Sequence, residues 1–237
     1  MDIGENITDS VKYPIQDWVK ILILTVISII PIVNFMSGGY YLRIIKSTLA
    51  GIEEVPEFDE LGELFIDGIK LIIVGIIYLI IPLVLIVIGI IFLTPGGAVF
   101  TGISLIFFIL GAIIALLISV IGLMGVANMA YYDSDIGAAL RFSEIIERIE
   151  AIGWGKYILW IIVLWITIVV LGFIIAIVSG ILMIILIGFL LYFIGTAYLL
   201  MVQARSVALT FAESAEVPEV PMEPEEIEEI EEPKVKE

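Results

Sequence analysis

The sequence predicts an all-α fold: a polytopic transmembrane helix bundle of about six membrane helices, arranged as three hairpins, with interfacial amphipathic helices at one boundary. Three observations predict it. Ile21–Leu42, Leu71–Tyr132 and Tyr157–Ala204 contain no charged residue. A run of about 20 apolar residues crosses a bilayer as a helix, so the second and third blocks are each long enough for two spans. Hydrophobic residues make up 61% of the 237, against roughly 45–50% in soluble domains, and the mean hydropathy is +1.18.

The first block allows two readings. Trp18 to Tyr41 suffices for one span. Pro31 and Asn34 could instead form the tip of a hairpin with arms over about 15–30 and 33–50. The first arm would reach only about 24 Å, so it would thin the bilayer or cross incompletely. The hairpin gives six membrane helices and the single span five.

The second block is broken by Thr94-Pro95-Gly96-Gly97, which is turn chemistry. It predicts helices over about 64–93 and 99–132, with Pro82 as a kink or hinge inside the first. The third block holds no proline, so Ser179-Gly180 or Ile187-Gly188 is the expected reversal, between helices over about 155–178 and 182–211. Residues 1–211 then form the transmembrane domain. Residues 212–237 form an acidic disordered cytoplasmic tail: Glu213–Glu237 carries 11 acids and two bases and cannot bury enough apolar surface to fold alone.

Orientation follows from the bases. In the six-helix arrangement the tips near 31–34, 94–98 and 179–188 are uncharged, and all 11 Lys and Arg lie on one side. The positive-inside rule makes that side cytoplasmic. In the five-helix arrangement only Lys12 and Lys20 cross over. Both put the C-terminus in the cytoplasm of a multi-pass protein of the cell membrane; six is favoured because it leaves the outer face charge-free. Residues 1–11 hold Asp2, Glu5 and Asp9 and no base, so the positive region of a secretory signal is missing.

Lys20, Arg43, Lys46, Lys70, Lys156 and Arg205 sit at the block edges, where bases can pair with anionic lipid. Trp18, Tyr40, Tyr41, Tyr131, Tyr132, Trp154, Tyr157 and Tyr198 fall near the same level, where amphipathic rings prefer the headgroups. Residues 57–70 and 137–153 each read as an amphipathic interfacial helix. The first has Leu61, Leu64, Phe65, Gly68 and Ile69 on one face and Asp59, Glu60, Glu63 and Asp67 on the other. The second carries a stripe of Phe142, Ile145, Ile146, Ile149 and Ile152.

Small residues recur at four-residue spacing: Gly111, Ala115, Ser119 and then Gly122 in one predicted helix, Gly172, Ala176 and Gly180 in the next. Stacked on one face they let backbones approach closely. They predict a tight pair between these two helices, or contacts between copies in an oligomer.

The excluded chemistry is extensive. There is no cysteine and no histidine, so thiolate nucleophiles, disulfides, imidazole metal ligation and the serine–histidine–acid triad are ruled out. No catalytic, cofactor-binding or metal-ligating set emerges. The acidic run Glu53–Asp67 matches no calcium-loop spacing and reads as a solvated loop. A net charge of −16 leaves no footprint for nucleic acid.

The expected function is non-enzymatic: a membrane-organising or interaction protein. Its partners would be the bilayer and a cytoplasmic protein docking on 52–67 or the tail. The alternative is a permease or channel for a neutral or lipid-like solute, with Pro31, Asn34, Pro82 and Asn128 as polar or hinge points.

The run Trp18…Ile30-Pro31-Ile32-Val33-Asn34…Gly39-Tyr40-Tyr41-Leu42-Arg43…Gly51…Pro56-Glu57-Phe58…Leu64-Phe65-Ile66-Asp67-Gly68-Ile69-Lys70 resembles a family of archaeal and bacterial membrane proteins, the domain of unknown function 4013. The resemblance covers roughly residues 12–210. Leu186-Ile187-Gly188 departs from the Pro-Ile-Gly-like turn expected there. The resemblance implies a multi-helix membrane protein and supplies no activity, cofactor or catalytic residue.

Overall fold

The structure is a computed structural model that describes residues 2–183 and 187–215. It opens with a helix that the sequence reading did not anticipate, α1 (Ile3–Lys12). Asp2 caps it: its carboxylate accepts from the Gly4 N–H, and Glu5 reaches back to the Asp2 N–H. The Asp2–Glu5 spacing of a capping box was the available signal.

After a 3-10 turn over Tyr13–Gln16, Asp17 caps α2 (Trp18–Ile29) by accepting from the Val19 and Lys20 N–H groups. A turn over residues 30–34 leads to α3 (Phe35–Leu49). Proline cannot continue a helix, and Ile32 takes a φ of 71°, so Trp18–Tyr41 is not one continuous helix. The hairpin forms, and the Ser28 and Ser37 hydroxyls join its arms at 3.0 Å. Its arms are nevertheless short. With 12 and 15 residues they rise about 18 and 22 Å, against a hydrocarbon core of about 30 Å.

Four described helices are long and apolar enough to cross a membrane: α4 (Leu61–Leu93), α5 (Ala98–Tyr131), α8 (Trp154–Leu182) and α9 (Ile187–Ala215). The short α6 (Ile136–Ala139) and α7 (Phe142–Ile152) lie between α5 and α8. Gly96 and Gly97 take φ of 72° and 91° in the α4–α5 turn, a conformation that glycine alone adopts freely. Pro82 is buried inside α4, which stays continuous through it. The Ser179-Gly180 reversal is not used, because α8 runs on to Leu182; residues 184–186 lie outside the described residues. So does the tail beyond Ala215, and with it the expectation of a disordered extension.

The long helices pack as two hairpins, α4 on α5 and α8 on α9, with α3 wedged between α4 and α9 and with α1 and α2 laid on α9. Three glycines of the small-residue ladders meet neighbours across these hairpins, not across an α5–α8 pair. Gly111 faces the Pro82 carbonyl, Leu85 and Ile86 of α4; Gly122 faces Tyr78; Gly172 faces Leu199 of α9. Ser119, Ala176 and Gly180 are exposed, and Ala115 is half-buried. The buried core gathers at one end, around Tyr40, Ile44, Met124, Ile149, Trp160 and Phe211. Elsewhere α4, α5 and α8 expose large apolar side chains such as Leu79, Leu83, Leu105, Leu116, Trp165 and Phe173. Helices apolar on every side belong in a bilayer.

Candidate functional site

The charged residues converge on one end of the bundle and form a cap. It begins with a close approach of two helix backbones. A Cβ on Gly39 would sit 1.8 Å from the Leu64 carbonyl oxygen, and one on Gly68 would sit 1.7 Å from that of Phe35. Only glycine permits α3 and α4 to cross so tightly.

That crossing delivers the bases of α3 to the acids at and just before the start of α4, and to Asp133 beyond α5. Arg43 pairs with Asp59 and donates to its carbonyl at 2.7 Å, with Glu60 and Glu63 at 3.7 and 3.9 Å. Lys46 donates to Asp67 at 3.1 Å and Asp133 at 2.8 Å. Lys70 and the Ser134 hydroxyl complete the shell of Asp67 at 3.1 and 2.7 Å. Asp67 is therefore buried beneath α3, not solvated as its helical face predicted. The rest of the run is exposed: Glu53, Glu54, Glu57, Asp59, Glu60 and Glu63 make an acidic ridge. Residues 57–70 are not a separate interfacial helix, since 61–70 are the first turns of α4.

Arg205 anchors the N-terminal segment from α9. Its Nε donates to Asp9 at 2.8 Å, its Nη1 donates to Thr48 at 3.1 Å and to the Ile52 carbonyl at 3.3 Å, and the guanidinium lies 4.8 Å from the Tyr13 ring centre. Burial pushes the Tyr13 phenol up to about 12, although the Arg205 charge partly offsets it. Beside it, Asn6 donates to the Ser206 carbonyl at 3.2 Å and to Thr210 at 2.9 Å, while Ser206 donates back to Asn6 at 2.5 Å and accepts from Trp160 at 3.0 Å. This network fixes α1 to α8 and α9.

The bases at the block edges are thus paired within the chain. Lys20 binds the Val55 carbonyl and Glu57, and Lys156 pairs with Glu213. The aromatic belt divides: Trp18, Tyr131, Tyr132 and Trp154 are exposed, whereas Tyr40, Tyr41 and Tyr157 are buried. The stripe of α7 also turns inward, with Ile145, Ile149 and Ile152 buried against α5, α8 and α9. Arg148 reaches across to the Tyr131 and Phe211 rings, 4.9 and 4.4 Å from their centres. Burial raises the Glu144 carboxyl, but bonds from Tyr132, Arg148 and Asn128 and the Arg148 charge outweigh it and hold it below its ordinary range.

The four polar or hinge positions are scattered. Pro31 and Asn34 lie exposed at the short hairpin's tip. Pro82 packs on Gly111. Asn128 is fully buried and donates to the Ala138 carbonyl at 3.0 Å, tying α5 to α6. None of them lines the cavities between the two long hairpins. Among the described residues no group of three or more acids is placed to hold a metal ion.

The family described as "Protein of unknown function (DUF4013)" matches residues 23–180, from the interior of α2 to the end of α8. The chain belongs to that family. The match takes in the Gly39–Gly68 crossing, the acidic ridge and α7, and leaves out α1 and α9. No curated protein and no solved structure matches the chain. Family membership and four membrane-length apolar helices mark a DUF4013 protein as a multi-pass integral membrane protein.

Proposed function

We propose that the protein is a non-enzymatic membrane-organising or interaction protein of the cytoplasmic membrane, whose cap faces the cytoplasm and receives a soluble protein on the acidic ridge of residues 52–67. One observation carries the reading: the exposed carboxylates of the ridge stand on a rigid base, because Arg43 binds the backbone and side chain of Asp59 while Gly39 and Gly68 lock α3 to α4. A pre-ordered charged edge loses little entropy on binding, and carboxylates of one sign select a basic partner. The uncharged tip at 94–97 and the gathering of charge at the opposite end support a cytoplasmic cap.

The test is side-specific cysteine labelling at Thr8, Glu53 and Thr94, all exposed, joined to photocrosslinking from position 54 in intact cells. Thr8 and Glu53 should react from the cytoplasm and Thr94 from outside. The crosslinked protein should be lost on Glu53→Lys with Glu57→Lys. Flux of a neutral solute into proteoliposomes that responds to Asn34 or Asn128 substitution would instead establish a permease.

A further inference from the structure

We propose that the crevice between the α4–α5 and α8–α9 hairpins is a binding site for an uncharged lipid-like molecule: one apolar chain carrying a carbonyl or hydroxyl head, held by Tyr41 and Gln203. The cavity measures about 510 Å³ and is lined by residues that include Tyr41 of α3, Leu71 of α4, Val126 of α5, Ile168 of α8, and Leu199 and Gln203 of α9. A second cavity of about 240 Å³ adjoins it, sharing Ile168 and Gln203. The volume falls in the range of roughly 300–1,000 Å³ that holds small molecules.

The lining specifies the ligand. It is apolar except for Tyr41, Thr196 and Gln203, and no charged side chain borders either cavity. Thr196 already donates to the Phe193 carbonyl at 2.9 Å. Neither the Tyr41 hydroxyl nor the Gln203 amide makes a hydrogen bond within the described residues, although Tyr41 is only 8% exposed. Polar groups in an apolar surround are stabilised only by a hydrogen-bonding partner. Tyr41 offers a donor and Gln203 both donors and an acceptor, which suits a carbonyl or hydroxyl. The bases that follow the lining residues along α3, α4 and α9 do not suit an anionic head, because Arg43, Lys46, Lys70 and Arg205 are paired with Asp59, Asp67 and Asp9.

The surroundings specify the source. The crevice is open and is flanked along the chain by exposed Ile72, Ile73, Ile166 and Val169, so a molecule dissolved in the bilayer reaches it by lateral diffusion. A helix from a second copy fits less well, since its backbone groups are already paired and would leave Tyr41 and Gln203 unanswered.

The test uses the full chain in lipid nanodiscs with diazirine-bearing hexadecanol, and diazirine-bearing hexadecanoate as the charged counterpart. Adducts should concentrate in peptides containing Tyr41 and residues 196–203. Gln203→Leu and Tyr41→Phe should each weaken labelling about fivefold, the effect of one net hydrogen bond. Leu199→Trp, which narrows the crevice and keeps both polar groups, should weaken labelling at least as much. Unchanged thermal melting certifies that each variant is folded, and the conclusion rests on those that are. Even labelling along the exposed faces of α4 and α5, equal labelling by the acid, no response to the folded variants, or disulfide trapping between two copies through Leu200→Cys would each overturn the proposal.

Discussion

Lys46 Nζ lies 3.1 Å from Asp67 Oδ2, so the short hairpin and the first long helix share a part-buried ion pair. The Asp67 side chain is 6% exposed and that of Lys46 is 23%. Breaking a fully buried pair costs about 3–5 kcal/mol, but the part-exposed lysine is screened and Lys70 remains beside the carboxylate. Asp67→Asn or Lys46→Met should therefore destabilise the folded state by about 1–3 kcal/mol. In a double-mutant cycle on detergent-solubilised protein the two losses should fall short of additive; simple additivity would mean that the contact carries no coupling.

Gly39 and Gly68 face each other's helix backbones with no room for a methyl group. Gly39→Ala or Gly68→Ala should force α3 and α4 apart and cost about 1–3 kcal/mol or more. Gly62 and Gly75 also lie in α4, with nothing within 4 Å of a Cβ built there. Alanine at either should be neutral or stabilising by up to about 1 kcal/mol. Melting temperatures of the four variants separate steric lock from helix propensity. A drop of equal size at all four would remove the lock.

The contrast shows what sequence could and could not reveal. The absence of charge over Leu71–Tyr132 and Tyr157–Ala204 located four long helices to within a few residues, because a bilayer imposes length and composition on each span independently. Thr94-Pro95-Gly96-Gly97 marked its turn because the residue types have their own conformational preference. Helical spacing failed for Asp67, since spacing defines a face but not what covers it, and Lys46 arrives from 21 positions away. The ladder beginning at Gly111 was visible, but its partner was not; Gly111 meets Pro82, its neighbour across the hairpin, rather than Gly172 or Ala176. Arg205, Arg43 and Lys46 looked available to lipid because their acid partners Asp9, Asp59 and Asp67 are remote in sequence. Tyr41 stood out only as one ring of the aromatic belt and Gln203 only as a polar residue in an apolar block; that they border one crevice depends on three other helices.

Arg205 makes its bonds through two nitrogens to Asp9, Thr48 and the Ile52 carbonyl. A lysine ammonium is a point charge and cannot reproduce that fork. Arg205→Lys should lose about 1–2 kcal/mol despite keeping the charge, and Arg205→Met about 2–3 kcal/mol, the loss being limited because Asp9 is 43% exposed and can be hydrated. Because Asp9 and Tyr13 belong to the N-terminal segment, limited proteolysis should then release α1 before the long helices unfold. Simultaneous loss of α1 and the helix bundle would contradict the anchor role.

Acid should weaken the cap through two carboxyls. Hydrogen bonding to Lys46, then its charge, holds Asp133 below its ordinary value. Glu144 is likewise held down, its burial being outweighed by Tyr132, Arg148 and Asn128. A carboxyl depressed by folding binds protons more readily when unfolded, so its stabilisation is present above the unfolded pKa, near 3.8 for Asp133 and 4.5 for Glu144. It disappears as the pH falls through the lower folded value. Lys46 is raised instead: burial lowers it, but bonds to Asp133 and Asp67 and their charges prevail. Its contribution is complete below 10.5 and fades only as the pH climbs through the folded value. Melting temperature should therefore be flat between these limits and fall below about pH 5. Glu144→Gln and Asp133→Asn should each lower the plateau and flatten the acid limb, because neither replacement titrates. An acid limb as steep in both variants as in the parent would assign the transition to other carboxyls.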